Sequence, residues 1–217
     1  LPTGLFMRRR LLEVVAAFVG TFSAAEGCGC ELDGTYFPES FKGDRMRGSF
    51  ELPRRAHHRG RQRRRRGLSK ERICVMSGVN DSGEPFLDMA GRGSLSSRRA
   101  LDCPRGRIQD GAVVATDRSG AYPSALRELS AAAHHACGSR DRSEGAISHV
   151  DALRSALDGF MARCRGVPTR HLAECLAWFR WDCSFSVSSL GAGAPVRQME
   201  SCACHASLGD RWGAEPL

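Results

Sequence analysis

Apolar residues recur at helical spacing near both ends of the sequence. An amphipathic helix with its exit is predicted over residues 1–26, and a second helix over 150–164, which Gly166-Val167-Pro168 ends. Thr169 can cap a third helix that runs to residue 183. After Ser184 the pattern gives way to Gly, Ser, Ala and Pro, which predicts a disordered tail over 184–217. The apolar positions that define the three helices are Leu11, Leu12, Val15, Phe18, Val19 and Phe22, then Val150, Leu153, Leu157, Phe160, Met161 and Cys164, and finally Leu172, Cys175, Leu176, Phe179 and Cys183.

The middle of the chain contains shorter runs that are typical of strands. Residues 28–37 form one predicted strand, and two apolar runs, 73–79 and 85–90, follow a long polar stretch. The tetrapeptide Asn80-Asp81-Ser82-Gly83 between those two runs predicts a hairpin. Residues 112–116 are continuously apolar, which is typical of a strand in the centre of a buried sheet.

Two further helices are predicted between and after these strands. Ser94 has the character of an N-cap, and Pro104 should end or kink the helix over 95–108. A second helix is predicted over 124–133, followed by a polar connection over 137–147. Strands mixed with covering helices predict an α/β fold around one sheet.

Composition limits the class of protein further. The chain has 217 residues, of which 41% are hydrophobic and 26% charged, as expected of one compact domain, or of one domain with a small appendage, rather than of a disordered chain. The sequence contains no uncharged apolar run long enough to span a membrane. We therefore expect no membrane partner.

Positive charge is concentrated in one segment. Residues 45–72 contain twelve basic and two acidic residues, a net charge of +10, whereas the whole chain carries +8. Such a segment is suited to a polyanion. Of the 32 basic residues in the whole chain, 30 are Arg, and this preference for Arg over Lys is not confined to the basic segment. Codon usage in a GC-rich genome is the plainer explanation of that preference. The candidate phosphate-binding residues are Arg54, Arg55, Arg59, Arg61, Arg63, Arg64, Arg65 and Arg66.

The cysteines and the N-terminus indicate the compartment. Most of the ten cysteines lie in apolar runs or on apolar helix faces, where a free Cys behaves as a small hydrophobic residue, so we predict a reducing, cytoplasmic environment. Arg8–Arg10 followed by an apolar stretch also resembles a signal peptide, although Glu13 interrupts it. A secreted, disulfide-containing protein is the alternative.

Three aspartates lie where a sheet and a helix can bring them together. Asp33 is in the middle of a predicted strand, Asp117 ends the apolar strand, and Asp151 is in the first turn of the helix over 150–164. Hard carboxylate oxygens suit Mg²⁺, and two such ions can hold the attacking and leaving oxygens of a phosphodiester. Taken singly, each acid also fits an ordinary role as a surface, turn or helix-dipole residue.

Several stretches of the sequence resemble the catalytic core of a bacterial insertion-sequence transposase, most closely insertion-sequence family fifteen-ninety-five. The similarity covers about residues 28–183, and its main stretches are 31–43, 115–122 and 149–160. It implies an RNase H-like mixed sheet with covering helices. It also implies a catalytic and metal-binding set of Asp33, Asp117 and Asp151 with two Mg²⁺ ions (Mn²⁺ could substitute). The implied activity is cleavage and strand transfer of DNA by a protein that is a homo-oligomer when on DNA.

This chain departs from the family pattern in ways that bear on activity. The family usually has an acidic residue directly after the first catalytic Asp, whereas this chain has Gly34 there. The family usually has a Lys at the position of Asp158 in this chain. The zinc ribbon and most of the helix-turn-helix are absent, so we interpret 1–27 as a helical remnant, 28–183 as the catalytic domain and 184–217 as the tail. These departures favour a weak or inactive copy. The alternative function is non-catalytic nucleic-acid binding through Arg54–Arg66.

Overall fold

The described part of the computed structural model comprises Met7, residues 10–15, 22–43, Leu52, 69–138 and 147–187, with side chains as far as Cys183. The arginines from Arg54 to Arg66 and the predicted tail beyond residue 187 lie outside these residues. The chain divides into two compact units, one of Thr21–Leu176 and one of Leu1–Gly20 with Ala177–Leu217. No helix among the described residues is long and apolar enough to cross a membrane.

A mixed five-stranded sheet is the centre of the unit Thr21–Leu176. Its strands lie in the order β3-β2-β1-β4-β5, with β1 antiparallel to β2 and parallel to β4. β2 and β3 are antiparallel, and β4 and β5 are parallel. The strands are β1 (Gly29–Pro38), β2 (Arg72–Asn80), β3 (Pro85–Arg92), β4 (Val113–Asp117) and β5 (Ala133–Cys137).

The predicted hairpin between β2 and β3 is confirmed, and its turn chemistry is visible. The side-chain oxygen of Asn80 accepts hydrogen bonds from the backbone N–H groups of Ser82 and Glu84. Gly83 has a φ of 76°, in the left-handed region that suits glycine. A polar turn residue followed by glycine therefore reverses the chain here, as the pattern predicted.

Besides the helical residues 10–15, the described residues form α1 (Ser97–Asp102), α2 (Tyr122–Glu128), α3 (Ser148–Arg163) and α4 (Leu172–Val187), with a 3₁₀ turn over Thr169–His171. The helix predicted over 95–108 is much shorter, because Pro104 follows it and Ser96, not Ser94, caps it by accepting from the N–H of Arg99. The helix over 150–164 is confirmed. The helical turn at Thr169 precedes α4, which continues three residues beyond Ser184.

The prediction was wrong for residues 129–137. The helix over 124–133 ends at Glu128, and Ser130 has a φ of 54°, which no helix allows. Residues 133–137 form β5 rather than the end of a helix and the start of a polar connection. Parallel hydrogen bonding to β4 stabilises this strand, although its residues are at most half-buried and show no apolar alternation.

The N-terminal helix is confirmed over residues 10–15, but Phe22, which was predicted to lie on its apolar side, is not helical. Residues 10–15 are helical, but Phe22 and Ala24 are buried against the sheet in extended chain. Ala24 forms a parallel bridge with Ile108, and the Asn80 side-chain amide donates to the carbonyl of Ser23. Phe22 and Ala24 therefore belong to the buried core of the sheet unit.

One face of the sheet is apolar and is covered by α1 and α2. We call this the apolar face; Leu32, Met76 and Val114 project from it and pack with residues of both helices. Because side chains alternate along a strand, the neighbours of Leu32 point to the opposite face. α3 packs on that opposite face, against β1 and β2, and buries Val150, Leu157 and Phe160.

The predicted α/β class, with a mixed sheet and covering helices, is confirmed. Three placements expected of an RNase H-like domain are also present. Asp33 lies on the central strand β1, Asp117 ends the neighbouring strand β4, and α3 lies across one face of the sheet.

Candidate functional site

Asp33 and Asp117 lie side by side on neighbouring strands. The parallel register of β1 and β4 pairs Leu32 with Thr116, so the two aspartates are the next residues along each strand. Neighbouring strands are about 4.8 Å apart. Both side chains point away from the apolar face, because Leu32 and Val114 are in the core beneath α1 and α2. We call the α3-covered side, with Glu31, Asp33 and Asp117, the acidic face.

Asp33 is the most enclosed of the three aspartates, with 6% of its surface exposed. Its backbone carbonyl accepts a hydrogen bond from the Ser77 hydroxyl at 3.2 Å, which joins the middle of β1 to β2. Burial raises the pKa of the Asp33 carboxyl. The backbone N–H of Gly34 opposes that rise by hydrogen bonding to it, and the charges of Asp117 and Asp151 add to it.

Asp117 is half-buried at the end of β4, where the chain turns towards α2. Its Oδ1 accepts a hydrogen bond from the backbone N–H of Ser119 at 3.2 Å, which fixes one carboxylate oxygen at the start of the loop. On the opposite side of the sheet, the hydroxyl of Thr116 donates to the Asp117 carbonyl and contacts Nε2 of His134 at 2.7 Å. Hydrogen bonds on both sides of the sheet therefore fix the position of Asp117.

Asp151 is exposed in the first turn of α3. The start of that helix is anchored to β1 by Glu31, whose Oε2 accepts from the N–H of Val150 at 2.8 Å. Oε1 of Glu31 contacts Nδ1 of His149 at 2.7 Å. The N-cap residue of α3, Ile147, makes no side-chain capping bond, so Glu31 supplies from the sheet the acceptor that the helix lacks.

The structure places Asp33 and Asp117 together on the acidic face, and the charges of Asp117 and Asp151 both add to the rise in the pKa of Asp33. A cationic group is already among them. Nη1 of Arg154 lies 3.7 Å from Oδ2 of Asp33, and its charge opposes the rise in the pKa of Asp33. Within the described ranges, no group of three His, Cys, Asp or Glu residues is arranged to hold a metal ion.

Two residues of this site were not found from the sequence. Glu31 could have been found by alternation, since it is two positions before Asp33 and shares its face. Arg154 is three positions after Asp151 and lies on the same side of α3, a spacing that brings side chains together on a helix. In both cases the contact joins residues more than 110 positions apart in the sequence, and no local pattern indicates such a partner.

The predicted phosphate-binding arginines lie outside the described residues, but the ends of their segment do not. The segment leaves β1 after Pro38 and re-enters the sheet at Arg72, which is paired with Pro38. The carboxyl ends of β1 and β4 lie at the same edge of the sheet because these strands are parallel. The chain that contains the basic segment is thus joined to the sheet at the edge where β4 ends with Asp117.

The fold is that of a mixed-sheet α/β domain with a cluster of acids on one face. Among solved structures, the chain is similar to one described as the crystal structure of a pre-cleavage Mos1 transpososome, at 11% identity and a TM-score of 0.35. The match covers 91% of this chain but only 60% of that chain. No protein-family model matches the chain, and no curated protein sequence matches it significantly. The resemblance to insertion-sequence transposases thus stays a prediction from the motifs.

Proposed function

We propose that this chain is a transposase-type catalytic domain that cleaves DNA phosphodiesters with Mg²⁺ or Mn²⁺ bound at the acidic face. The observation that carries the proposal is the adjacent placement of Asp33 and Asp117 on two parallel strands of one sheet, both on the face that α3 covers. A buried acid in the middle of a strand costs stability, and such groups are concentrated at functional sites.

The carboxylate oxygens of Asp33 and Asp117 are suitable ligands for Mg²⁺ or Mn²⁺, even though no group of three His, Cys, Asp or Glu residues surrounds one point in the described part of the chain. Carboxylates supply hard oxygens, and Mg²⁺ needs only one or two of them because water and substrate phosphate complete its shell. Asp33 and Asp117 would be those ligands, with Asp151 nearby on α3. The ion would supply charge stabilisation and activate the attacking oxygen. The chain's own contribution is to hold the two acids rigidly, through the Ser77 and Ser119 hydrogen bonds.

The proposed DNA partner is supported by where the chain that contains the basic segment joins the sheet. That chain leaves β1 at Pro38 and returns at Arg72, at the sheet edge where β4 ends with Asp117. Arginine binds phosphate in a bidentate geometry, so Arg54–Arg66 would hold the backbone of DNA next to the acids. As the family resemblance implies, the bound state would be a homo-oligomer.

We propose that the activity of this copy is low. Asp151 has a side chain one methylene shorter than Glu, and it is exposed rather than held against Asp33. Asp158 is exposed on the same side of α3, two helical turns further along, where a negative charge repels incoming phosphate. Both effects weaken metal and DNA binding rather than the fold.

Nicking of supercoiled plasmid in MnCl₂ tests this proposal. We expect slow nicking by the purified chain, loss of nicking in Asp33→Asn and Asp117→Asn, and faster nicking in the Asp151→Glu, Asp158→Lys double variant. Asp110→Asn is the matched control, because Asp110 is an exposed aspartate just before the other end of β4. Nicking that survives Asp33→Asn, or a double variant that is as inactive as Asp33→Asn, would refute the proposal.

Non-catalytic nucleic-acid binding is the second candidate, and the net charge of +10 over residues 45–72 favours it. Binding through phosphates alone weakens steeply with salt, by about 0.9 in the log–log slope for each duplex phosphate contact. It needs no divalent ion. Equal binding of all duplex sequences with the same affinity in EDTA, combined with no nicking by any variant, would favour this function over the first.

A further inference from the structure

Arg154 occupies part of the space beside Asp33 that a bound metal ion would need. Nη1 of Arg154 is 3.7 Å from Oδ2 of Asp33, whose side chain is only 9% exposed, whereas 48% of the Arg154 side chain is exposed. Arg154 therefore reaches in from the solvent side of α3 to the most enclosed acid. A cation bound to Asp33 would lie beside this guanidinium, because the guanidinium already contacts the same carboxylate.

We propose that Arg154 is a resident counter-ion of Asp33 that competes with divalent metal for the acidic face. This inference rests on the proposed metal-dependent function, and it adds that metal affinity is set by a residue that is not itself a ligand.

The competition has a simple electrostatic basis. Arginine stays protonated at any pH a protein tolerates, so the guanidinium cannot be neutralised to admit a metal ion; it must move. Its exposed position allows such a movement, because the side chain can rotate into solvent. If it stays close by, the repulsion between +1 and +2 charges separated by about 5 Å in water corresponds to roughly tenfold in affinity. Removal of the charge should therefore tighten metal binding, an effect that damage to the fold would not produce.

Mn²⁺ titration of the full chain, followed by electron paramagnetic resonance of free Mn²⁺, measures this effect without DNA or turnover. We expect Arg154→Gln to bind Mn²⁺ about tenfold more tightly than the wild type. Arg154→Lys retains the charge and should stay near the wild-type affinity. Arg163→Gln is the control, because it removes the same charge from the last turn of the same helix.

The outcomes separate this inference from the function on which it rests. A tightening in Arg154→Gln that disappears in Arg154→Gln, Asp33→Asn supports the inference and places the ion at Asp33. Equal affinity of wild type and Arg154→Gln, or an equal gain in Arg163→Gln, would overturn the inference and leave the proposed function standing. Failure of every chain to bind millimolar Mn²⁺ would overturn the proposed function as well.

Discussion

The two faces of the sheet present different residues of the same strands, apolar on one face and acidic on the other. On the apolar face, β1 contributes Cys30 and Leu32, which are packed beneath α1 and α2. On the acidic face, the alternate residues of the same strand are Glu31 and Asp33, and both face α3. Alternation along one strand therefore assigns packing to one side and polar chemistry to the other.

The faces also differ in how their helices are held. The helices on the apolar face pack through buried side chains such as Leu101 and Leu126. α3 packs through Val150, Leu157 and Phe160 as well, but its start is also held by the hydrogen bond that the Val150 N–H donates to Glu31. We therefore expect substitutions on the apolar face to lower stability most, and those on the acidic face to lower it less or to raise it.

Truncation of Leu32 should have the largest effect on stability. The side chain is fully buried in the core beneath α1 and α2, and Leu32→Ala should lower the free energy of unfolding by about 2–5 kcal/mol through lost burial and the resulting cavity. Urea unfolding measures the loss. A change below about 0.5 kcal/mol, which is typical of surface positions, would show that the apolar face is not the main source of stability.

Gly78 tests how closely the apolar face is packed. A Cβ added at this position would lie 2.7 Å from Cδ2 of Leu32 and 2.8 Å from Cδ1 of Phe86. Gly78→Ala should therefore destabilise the chain by about 1–3 kcal/mol through overpacking. Gly83→Ser is a useful contrast, because its Cβ would meet no atom and the cost comes from its φ of 76° alone. Unfolding curves that show Gly78→Ala unchanged would contradict the close packing.

Glu31 provides the corresponding test on the acidic face. Glu31→Ala removes the acceptor for the Val150 N–H and should cost about 0.5–2 kcal/mol, as the loss of a helix cap does. Glu31→Gln keeps an acceptor and should cost less. Thermal unfolding of the two variants gives the comparison, and an equal loss in both would indicate that charge rather than the hydrogen bond is what matters.

Asp33→Asn should change stability in the opposite direction. Folding raises the pKa of Asp33 above its ordinary value of 3.8, so the ionised carboxylate is less favourable in the folded chain than in the unfolded one. Stability is therefore lost as pH rises from 3.8 through the raised pKa. At pH 7 the neutral Asn should stabilise the chain by on the order of 1 kcal/mol.

The same substitution has a pH signature. The gain from Asp33→Asn should vanish below pH 3.8, where the carboxyl is protonated in both states. Urea unfolding at several pH values, with Asp110→Asn as the control, measures it. A destabilised Asp33→Asn at pH 7 would mean that the contact with Arg154 outweighs the cost of burial.

The parts of the fold that sequence could predict are those with strong local signals. The hairpin has its Asn80–Gly83 turn, α3 has a regular apolar period, and β4 is a continuous apolar run. The position of Asp33 within a strand and of Asp117 at a strand end also followed from pattern, whereas the neighbouring placement of the two strands was implied by the RNase H-like resemblance.

The rest depends on partners that are distant in sequence. β5 is an edge strand whose Ala-His-His-Ala-Cys sequence has no strand period, and only its pairing with β4 makes it extended. The ion pair of Arg154 with Asp33 and the cap of α3 by Glu31 each join β1 to a helix more than 110 residues later. Such contacts depend on tertiary packing, so no window of sequence contains their signal.

Anomalous diffraction from a crystal soaked in MnCl₂ locates the bound ion itself rather than inferring its position from activity. We expect a manganese peak bonded to carboxylate oxygens of Asp33 and Asp117, with the guanidinium of Arg154 moved away from Asp33. A crystal that binds manganese elsewhere, or that keeps Arg154 against Asp33 with no peak beside Asp117, would contradict this expectation.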